Sequence, residues 1–517
     1  MPCRFLVILF VLVAAVGLYT SWAAPVGGWS NLAFDRFVVA DNADPDGLYL
    51  PSAVQFDDSG SFPFYVGTPG VPFHLGIYAV AKAFYAAGHS WMEGSVGFVD
   101  FCIRNWDGLH FVVRFFCSLL MFFCAACFYI VLLQLGLSSV VAATAALLLL
   151  FSTPVLIYFN KISPEGMTLL FFMVSWLGLA RFDRMRHPGW IVLAGVCCAL
   201  TLFTKVHYTL PLPLLAAWSI SRADPARRKQ NLRLFAVSLG LVAAPLALLV
   251  DWPRWLSGWG TFTNYYYSGL SPFSMLFGSE ATAKSVNGGL WDTVVSFAAK
   301  VLVPDPARSS SFFVWGSMAA LGITAICGLR KQPELRKTLF VPFWMALLSL
   351  PLAIVRASVH YWFFVILFCC VPSAVYVNAL MRDTDRPLLR AFALSCLLSW
   401  PGLLGFVYLK ASDIVRYDKY LKPYYEALHL TQYGQRVGIV ASALAASPVQ
   451  IGGIYLGFGV NPELPVVRRF CDQFRIVEKP GAEVAYREYL WAFVEIGSTQ
   501  ELVSLVDNEM QINNVAR

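Results

Sequence analysis

Charge is scarce in this sequence. Only 13% of its 517 residues are charged and 58% are hydrophobic, against about 25% and about 45–50% in an average soluble domain. That balance excludes an ordinary water-soluble globule and points to a chain built for lipid. A concentrated basic surface is also missing. The net charge is +7, from 38 Lys and Arg against 31 Asp and Glu. The basic residues come in short runs between apolar segments, as cytoplasmic loops do, so no nucleic-acid partner is expected. The 12 cysteines include no Cys-x-x-Cys pair flanked by further ligands. Most, such as Cys124, Cys127, Cys197, Cys198, Cys369 and Cys370, sit inside apolar stretches and read as small core residues. Cys102 and Cys471 fall in segments placed outside the membrane, which leaves a disulfide between them open. No internal repeat is visible.

What is present in quantity is long apolar runs. A ~30 Å hydrocarbon core needs about 17 to 25 residues of helix, and such segments occur at 5–24, 111–134, 139–157, 166–181, 188–204, 207–221, 234–250, 311–329, 338–355, 361–380 and 391–410. They predict an all-α polytopic membrane domain of about eleven spans over residues 1–410. The first 24 residues, with Arg4, an apolar run from Phe5 to Leu18 and Ala23-Ala24-Pro25, also have the form of a cleavable signal peptide. Because so many spans follow, an uncleaved first helix is expected.

The basic residues test this count, because they should collect on alternate sides. Arg181, Arg184 and Arg186 form one cluster; Arg222, Arg227, Arg228, Lys229 and Arg233 a second; Arg330, Lys331, Arg336 and Lys337 a third; and Arg382, Arg386 and Arg390 a fourth. All fall on the side of Arg4, which places the N-terminus in the cytoplasm and the chain after Lys410 outside. This parity holds only if Val71 to Ala87 is not a span. Pro72, His74 and Lys82 and its bare sufficiency of length predict a helix lying at the outer interface instead.

Three external segments follow. Residues 25–110 are strongly acidic, with Asp35, Asp41, Asp44, Asp46, Asp57, Asp58, Glu93, Asp100 and Asp107 against Arg36, Lys82 and Arg104. Residues 251–310 carry Trp252, Trp255, Trp259 and Tyr265-Tyr266-Tyr267, either an interfacial aromatic belt or a surface for a sugar or polyprenyl chain. Residues 411–517 alternate short apolar runs with turn residues and helical patterns, which predicts a small soluble α/β domain without a catalytic motif.

Ionisable groups beside membrane spans need a partner or a role, and four outward places hold them. Asp41-Asn42-Ala43-Asp44-Pro45-Asp46-Gly47-Leu48-Tyr49 follows the first span. Two carboxylates two residues apart can divide the work, one aimed at a substrate hydroxyl while the other has its pKa raised, although Asp-Pro-Asp-Gly is also an ordinary turn. Asn160-Lys161-Ile162-Ser163-Pro164-Glu165 opens a helix, with Ser163 as the expected N-cap and Glu165 complementing the dipole. Thr204-Lys205-Val206-His207-Tyr208 lies between two spans, and Arg356-Ala357-Ser358-Val359-His360-Tyr361 begins another. Snorkelling explains one lone cation, but not two cation-and-histidine pairs opposite the basic loops. Outward carboxylates and cations around one membrane face suit a phosphate-bearing lipid donor and a hydroxyl or amine acceptor.

With these residues in this order, the chain resembles the GT-C superfamily of membrane glycosyltransferases. That superfamily includes the protein O-mannosyltransferases, the aminoarabinose transferases acting on lipid A and the oligosaccharyltransferases. The resemblance is carried by Tyr49, Ala53 and Gly60, spaced like the family's Asp-(x)3-Tyr-(x)3-Ala-(x)6-Gly; by Pro69 and Pro72 leading into an amphipathic helix; and by Pro164-Glu165. Gly195 followed by Thr204-Lys205, and His360-Tyr361, complete it. It covers roughly residues 1–410. One departure stands out: by strict spacing from Tyr49 the family's catalytic Asp falls on Pro45. Asp46 fits a shorter variant, while Asp44-Pro45 is similar to the Asp-Pro of oligosaccharyltransferases.

The resemblance implies a GT-C-like fold and inverting transfer of a hexose or pentose from a polyprenyl-phosphate donor to a glycan, lipid or protein acceptor on the outer side. It implies residence as a multi-pass protein in a bacterial inner membrane, among its lipids. Asp44 or Asp46, with Glu165, would be the catalytic carboxylates, and Lys161, Lys205, His207, Arg356, His360 and Tyr361 the donor-phosphate-binding set. A monophosphate donor requires no cofactor in principle, and no metal site is assigned; a pyrophosphate donor would usually bring a divalent ion. The rival class is a transporter or flippase of a lipid-linked saccharide. Against it, the charges sit at one membrane face and no inverted repeat is present.

Overall fold

The computed structural model describes residues 2–23, 49–50, 53–54, 56–57, 70–89, 96–150, 152, 155, 162–250, 322–356 and 363–383. The described part is helical: α1 (Pro2–Ala23), α2 (Val71–His89), α3 (Phe98–Arg104), α4 (Trp106–Gln134), α5 (Ser139–Leu150), α6 (Glu165–Met185), α7 (Pro188–Thr204), α8 (Val206–Thr209), α9 (Leu212–Ala223), α10 (Arg228–Leu248), α11 (322–331), α12 (Phe340–Arg356) and α13 (Phe363–Asp383). Among the described residues, four stretches are long and apolar enough to cross a membrane, Gly108–Gln134, Glu165–Met185, Arg228–Leu248 and Phe363–Arg382. The protein is an integral membrane protein. The expected span at 391–410, the whole aromatic segment 251–310 and the whole α/β domain at 411–517 lie outside the described residues.

The bundle is assembled on α4 and α6, which pack on each other, with α1 and α5 against α4 and α7 against α6. Its core holds Phe128, Tyr129, Phe172, Trp176 and Leu367, and Phe172 meets Phe364 edge-on at 4.6 Å. Helix α10 closes one flank by packing on α7. Gly195 makes that approach close, because a Cβ there would stand 2.9 Å from the Phe235 carbonyl oxygen. The other side of α10 is apolar and exposed, with Leu241 at 72% and Leu248 at 83%, as a lipid-facing surface should be.

The described members of all four basic clusters share one end of the bundle. There Arg184 donates to the Gln134 carbonyl at 2.6 Å, Arg382 to the Gly136 carbonyl at 3.2 Å, and the Ser138 amide to the Asn378 side chain at 3.1 Å. Trp176 donates to the Thr338 carbonyl at 3.0 Å. Arg4 belongs to the same end, since its neighbour Phe5 packs on Tyr129 at 4.6 Å, late in α4.

Helix α2 lies across the opposite end. Val71 packs with Leu246 and Val250 at the end of α10 and with Leu200 and Phe203 at the end of α7. Gly76 faces Met167 and Phe116, and Phe84 faces Gly108. One helix touching the same-side ends of α4, α6, α7 and α10 runs over the bundle rather than through it.

The structure bears on three further points of the sequence reading. The segment 207–221 is two helices rather than one, α8 of four residues and α9 of twelve, with Leu210 and Pro211 between them still in the right-handed helical region. Pro211 and Pro213, each lacking an amide proton, break the run. Helix α5 ends at Leu150, Ser152 turns its hydroxyl onto the Leu149 carbonyl at 2.6 Å, and most of 151–157 lies outside the described residues. Cys102 is a free, fully buried thiol, while Cys471, its open partner in the sequence, lies outside the described residues; burial pushes the Cys102 pKa up to about 12.

Candidate active site

Two sequence candidates meet at the end opposite the basic clusters. Glu165 opens α6 and Lys205 follows α7, forty residues apart, and the Lys205 ammonium is paired directly with Oε1 of Glu165. Their side chains are 4% and 7% exposed. Taking both charges out of solvent is costly unless each satisfies the other, so the pair fixes the two segments together.

The local chain explains how Lys205 gets there. Thr201 and Thr204 turn their hydroxyls back onto the carbonyls of Cys197 and Leu200, both at 2.6 Å, a pattern that loosens a helix end. Lys205 then leaves the helix with φ −153° and ψ 92°, while Thr209 returns its hydroxyl to the Lys205 carbonyl. The extended residue points inward where a helical one would continue along α7.

At Glu165 the expected cap is replaced. Pro164, not Ser163, occupies the cap position, with φ −72° and ψ −7° and no side-chain cap bond. Its carbonyl accepts from the Thr168 amide and hydroxyl, both at 2.8 Å. Ser163 is buried beside the carboxylate, but its hydroxyl falls short of hydrogen-bond geometry, and Oε2 of Glu165 has no hydrogen-bond partner among the described residues.

Part of the acidic segment packs over this end. Tyr49 is buried against Phe73 at 5.4 Å and His74 at 5.3 Å, and Ala53, four residues on, is fully buried. Phe56 joins Val71, Leu200 and Phe203, which places this segment beside the last turn before Lys205. Burial pushes the pKa of His74 down to about 3, so it is neutral at physiological pH.

A second ion pair clasps the segment to α2. Asp57 accepts from Lys82 at 2.5 Å and from the Tyr78 hydroxyl at 2.7 Å, and the Lys82 ammonium sits 3.8 Å from the Phe98 ring centre. Burial opposes both charges, but the pairing outweighs it, lowering the pKa of Asp57 and raising that of Lys82. The Asp57 contribution is present above its ordinary 3.8 and fades only as pH falls through the lowered value. That of Lys82 is present below its ordinary 10.5 and fades as pH rises through the raised one. Both side chains are partly solvated, so the clasp contributes about 1 kcal/mol at most. Lys82→Met is expected to leave the protein folded but speed protease cleavage near Asp57. In the wild type, that cleavage should stay level between the two limits.

Asp44, Asp46, Lys161, His360 and Tyr361 lie outside the described residues. His207 and Arg356 lie on the described backbones of α8 and α12, and α8 packs against α12. Sequence reasoning passed over one group: His110, Arg114 and Ser118, four residues apart along α4, are 1%, 3% and 0% exposed. Ser118 lies against Gly17 of α1, so this polar stripe faces the helix that leads into the acidic segment. The available signal was a lone Arg and His in a long apolar helix.

A polytopic membrane protein with part of an acidic segment packed over one end, and a buried acid–base pair beneath it, is the class these features define. Residues 107–259, which include Glu165 and Lys205, match the family described as dolichyl-phosphate-mannose-protein mannosyltransferase. The chain is thus similar to the GT-C glycosyltransferases. No curated protein matches it by sequence. Among solved structures it is similar to ArnT from Cupriavidus metallidurans bound to undecaprenyl phosphate, at 14% identity and TM-score 0.37 over 95% of this chain and 96% of that one. The apo ArnT structure from the same organism aligns at 15% identity and TM-score 0.34, over 94% and 89%.

Proposed function

We propose that the protein is a glycosyltransferase that moves a sugar, with inversion, from a polyprenyl-phosphate donor to a glycan, lipid or protein acceptor on the outer side of the membrane. The observation that carries this reading is the match of residues 107–259 to the mannosyltransferase family. By the positive-inside rule the basic end faces the cytoplasm, so the Glu165–Lys205 end and the acidic segment face outward.

In this reading Asp44 or Asp46 takes the proton of the acceptor hydroxyl or amine. The acceptor atom bonds to the anomeric carbon as the carbon–oxygen bond to phosphate breaks, and the electron pair leaves with the polyprenyl phosphate. Lys161, His207, Arg356, His360, Tyr361 and Lys205 gather around that phosphate and stabilise its growing charge. Glu165 is the buried counter-ion that orients Lys205. A monophosphate donor leaves no step that needs a metal.

Membranes containing the protein, given a labelled polyprenyl-monophosphate sugar, should move label from lipid to acceptor with inverted anomeric configuration. A chelator should leave the rate unchanged. Label that crosses the bilayer while remaining on its lipid would make the protein a flippase and end the transferase reading.

A further inference from the structure

At the basic end, between the C-terminal turns of α6 and α9 and the start of α12, lies a pocket of about 510 Å³. This is the scale of a ligand site, about 300–1,000 Å³, not of a seat for a bare ion. Trp176, Leu179 and Val341 form a buried floor. Trp218, stacked on Phe340 with ring centres 6.1 Å apart, forms one wall.

Around this apolar interior stand four cations, Arg186, Arg222, Arg336 and Lys337, and one described acid, Asp183. Asp183 is already 3.5 Å from Arg186. Three positive charges therefore remain uncompensated among the described lining residues. The positive-inside rule accounts for Arg and Lys at this end, but not for their convergence from three separate segments on one walled cavity.

The outer surface of α9 supplies the second half of an amphiphile's site. Leu214 and Trp218 are four residues apart and 76% and 52% exposed, and Leu210, one turn earlier, is 50% exposed. The same spacing continues to Arg222 at the pocket. An acyl chain lying along Leu210, Leu214 and Trp218 would deliver its headgroup to the cations.

We propose that this pocket binds the phosphate headgroup of an anionic phospholipid of the cytoplasmic leaflet, with an acyl chain along α9. The site involves none of the residues assigned to sugar transfer, and stands or falls independently of that reading.

The test uses the full-length protein in nanodiscs of phosphatidylcholine with a minor share of phosphatidylglycerol, with retained lipid identified by native mass spectrometry. The wild type should retain phosphatidylglycerol selectively. Each cation near an anionic headgroup strengthens association about fivefold, so Arg222→Gln/Arg336→Gln/Lys337→Gln should weaken retention on the order of a hundredfold. Arg227→Gln/Arg228→Gln/Lys229→Gln, the same charge change away from the pocket, should leave it unaltered. Ser219→Trp fills the cavity and keeps every charge, so it should also abolish retention and decides the matter if the triple variant fails to fold. Equal loss in both triple variants, or undiminished retention in Ser219→Trp, overturns the proposal. Displacement of the lipid by inorganic phosphate alone would also overturn it, by making the pocket a site for a free anion.

Discussion

Replacing the essential carboxylate, Asp44 or Asp46, by Asn is expected to lower sugar transfer by about 10²–10⁴ while the protein stays folded and still binds the donor lipid. The amide keeps the size and much of the hydrogen bonding of the acid but cannot take the acceptor's proton. Donor binding depends on cations around the phosphate, which this change leaves in place, so the loss should fall on turnover rather than on donor affinity. Of the two single variants, one should be nearly inactive and the other close to wild type, which would settle the register that Pro45 obscures. Steady-state transfer and equilibrium donor binding, measured on the same membranes, separate the effects. Full activity in both variants would remove the base from this segment.

The sequence made the larger helices legible, because a long apolar run has few alternatives to crossing or lining a membrane. It also marked the ends: Arg184, Arg222, Lys337 and Arg382 lie on one side as the charge pattern requires, since an interfacial cation obeys a rule that needs no tertiary information. The exclusion of Val71 to Ala87 rested on Pro72, His74 and Lys82. Helix α2 does lie across the ends of its neighbours opposite the basic clusters, and two of those three residues turn out to be built into contacts there, His74 against Tyr49 and Lys82 against Asp57.

Pairings were less legible. Nothing local links Glu165 to Lys205 across forty residues, or Asp57 to Lys82. Glu165 had a local explanation in the helix dipole, and Lys205 stood out beside His207 without a partner to assign, so only the packing of α6 on α7 brings the two together. The division inside 207–221 was hidden for another reason. Apolar character continues through Val206 to Leu215, so hydropathy carried one helix across the point where Pro211 and Pro213 restart the chain. Arg114 was absorbed into its span by the same averaging.

The Glu165–Lys205 pair is expected to show opposite behaviour in stability and in activity. Lys205→Met alone should destabilise the protein by about 3–5 kcal/mol, because it strands a buried carboxylate, and Glu165→Gln alone should do likewise by stranding a buried ammonium. The double variant removes both charges and should recover most of that loss, which a double-mutant cycle by thermal unfolding in detergent would register as strong coupling. Activity need not follow. If Lys205 also contacts the donor phosphate, the double variant will be stable yet weak in both donor binding and turnover, since a phosphate-binding cation acts on ground and transition states alike. If the pair serves only to fasten α6 to α7, restored stability will bring back transfer as well. Additive losses of stability in the double variant would contradict the pairing itself, because two charges that neutralise each other cannot be removed independently.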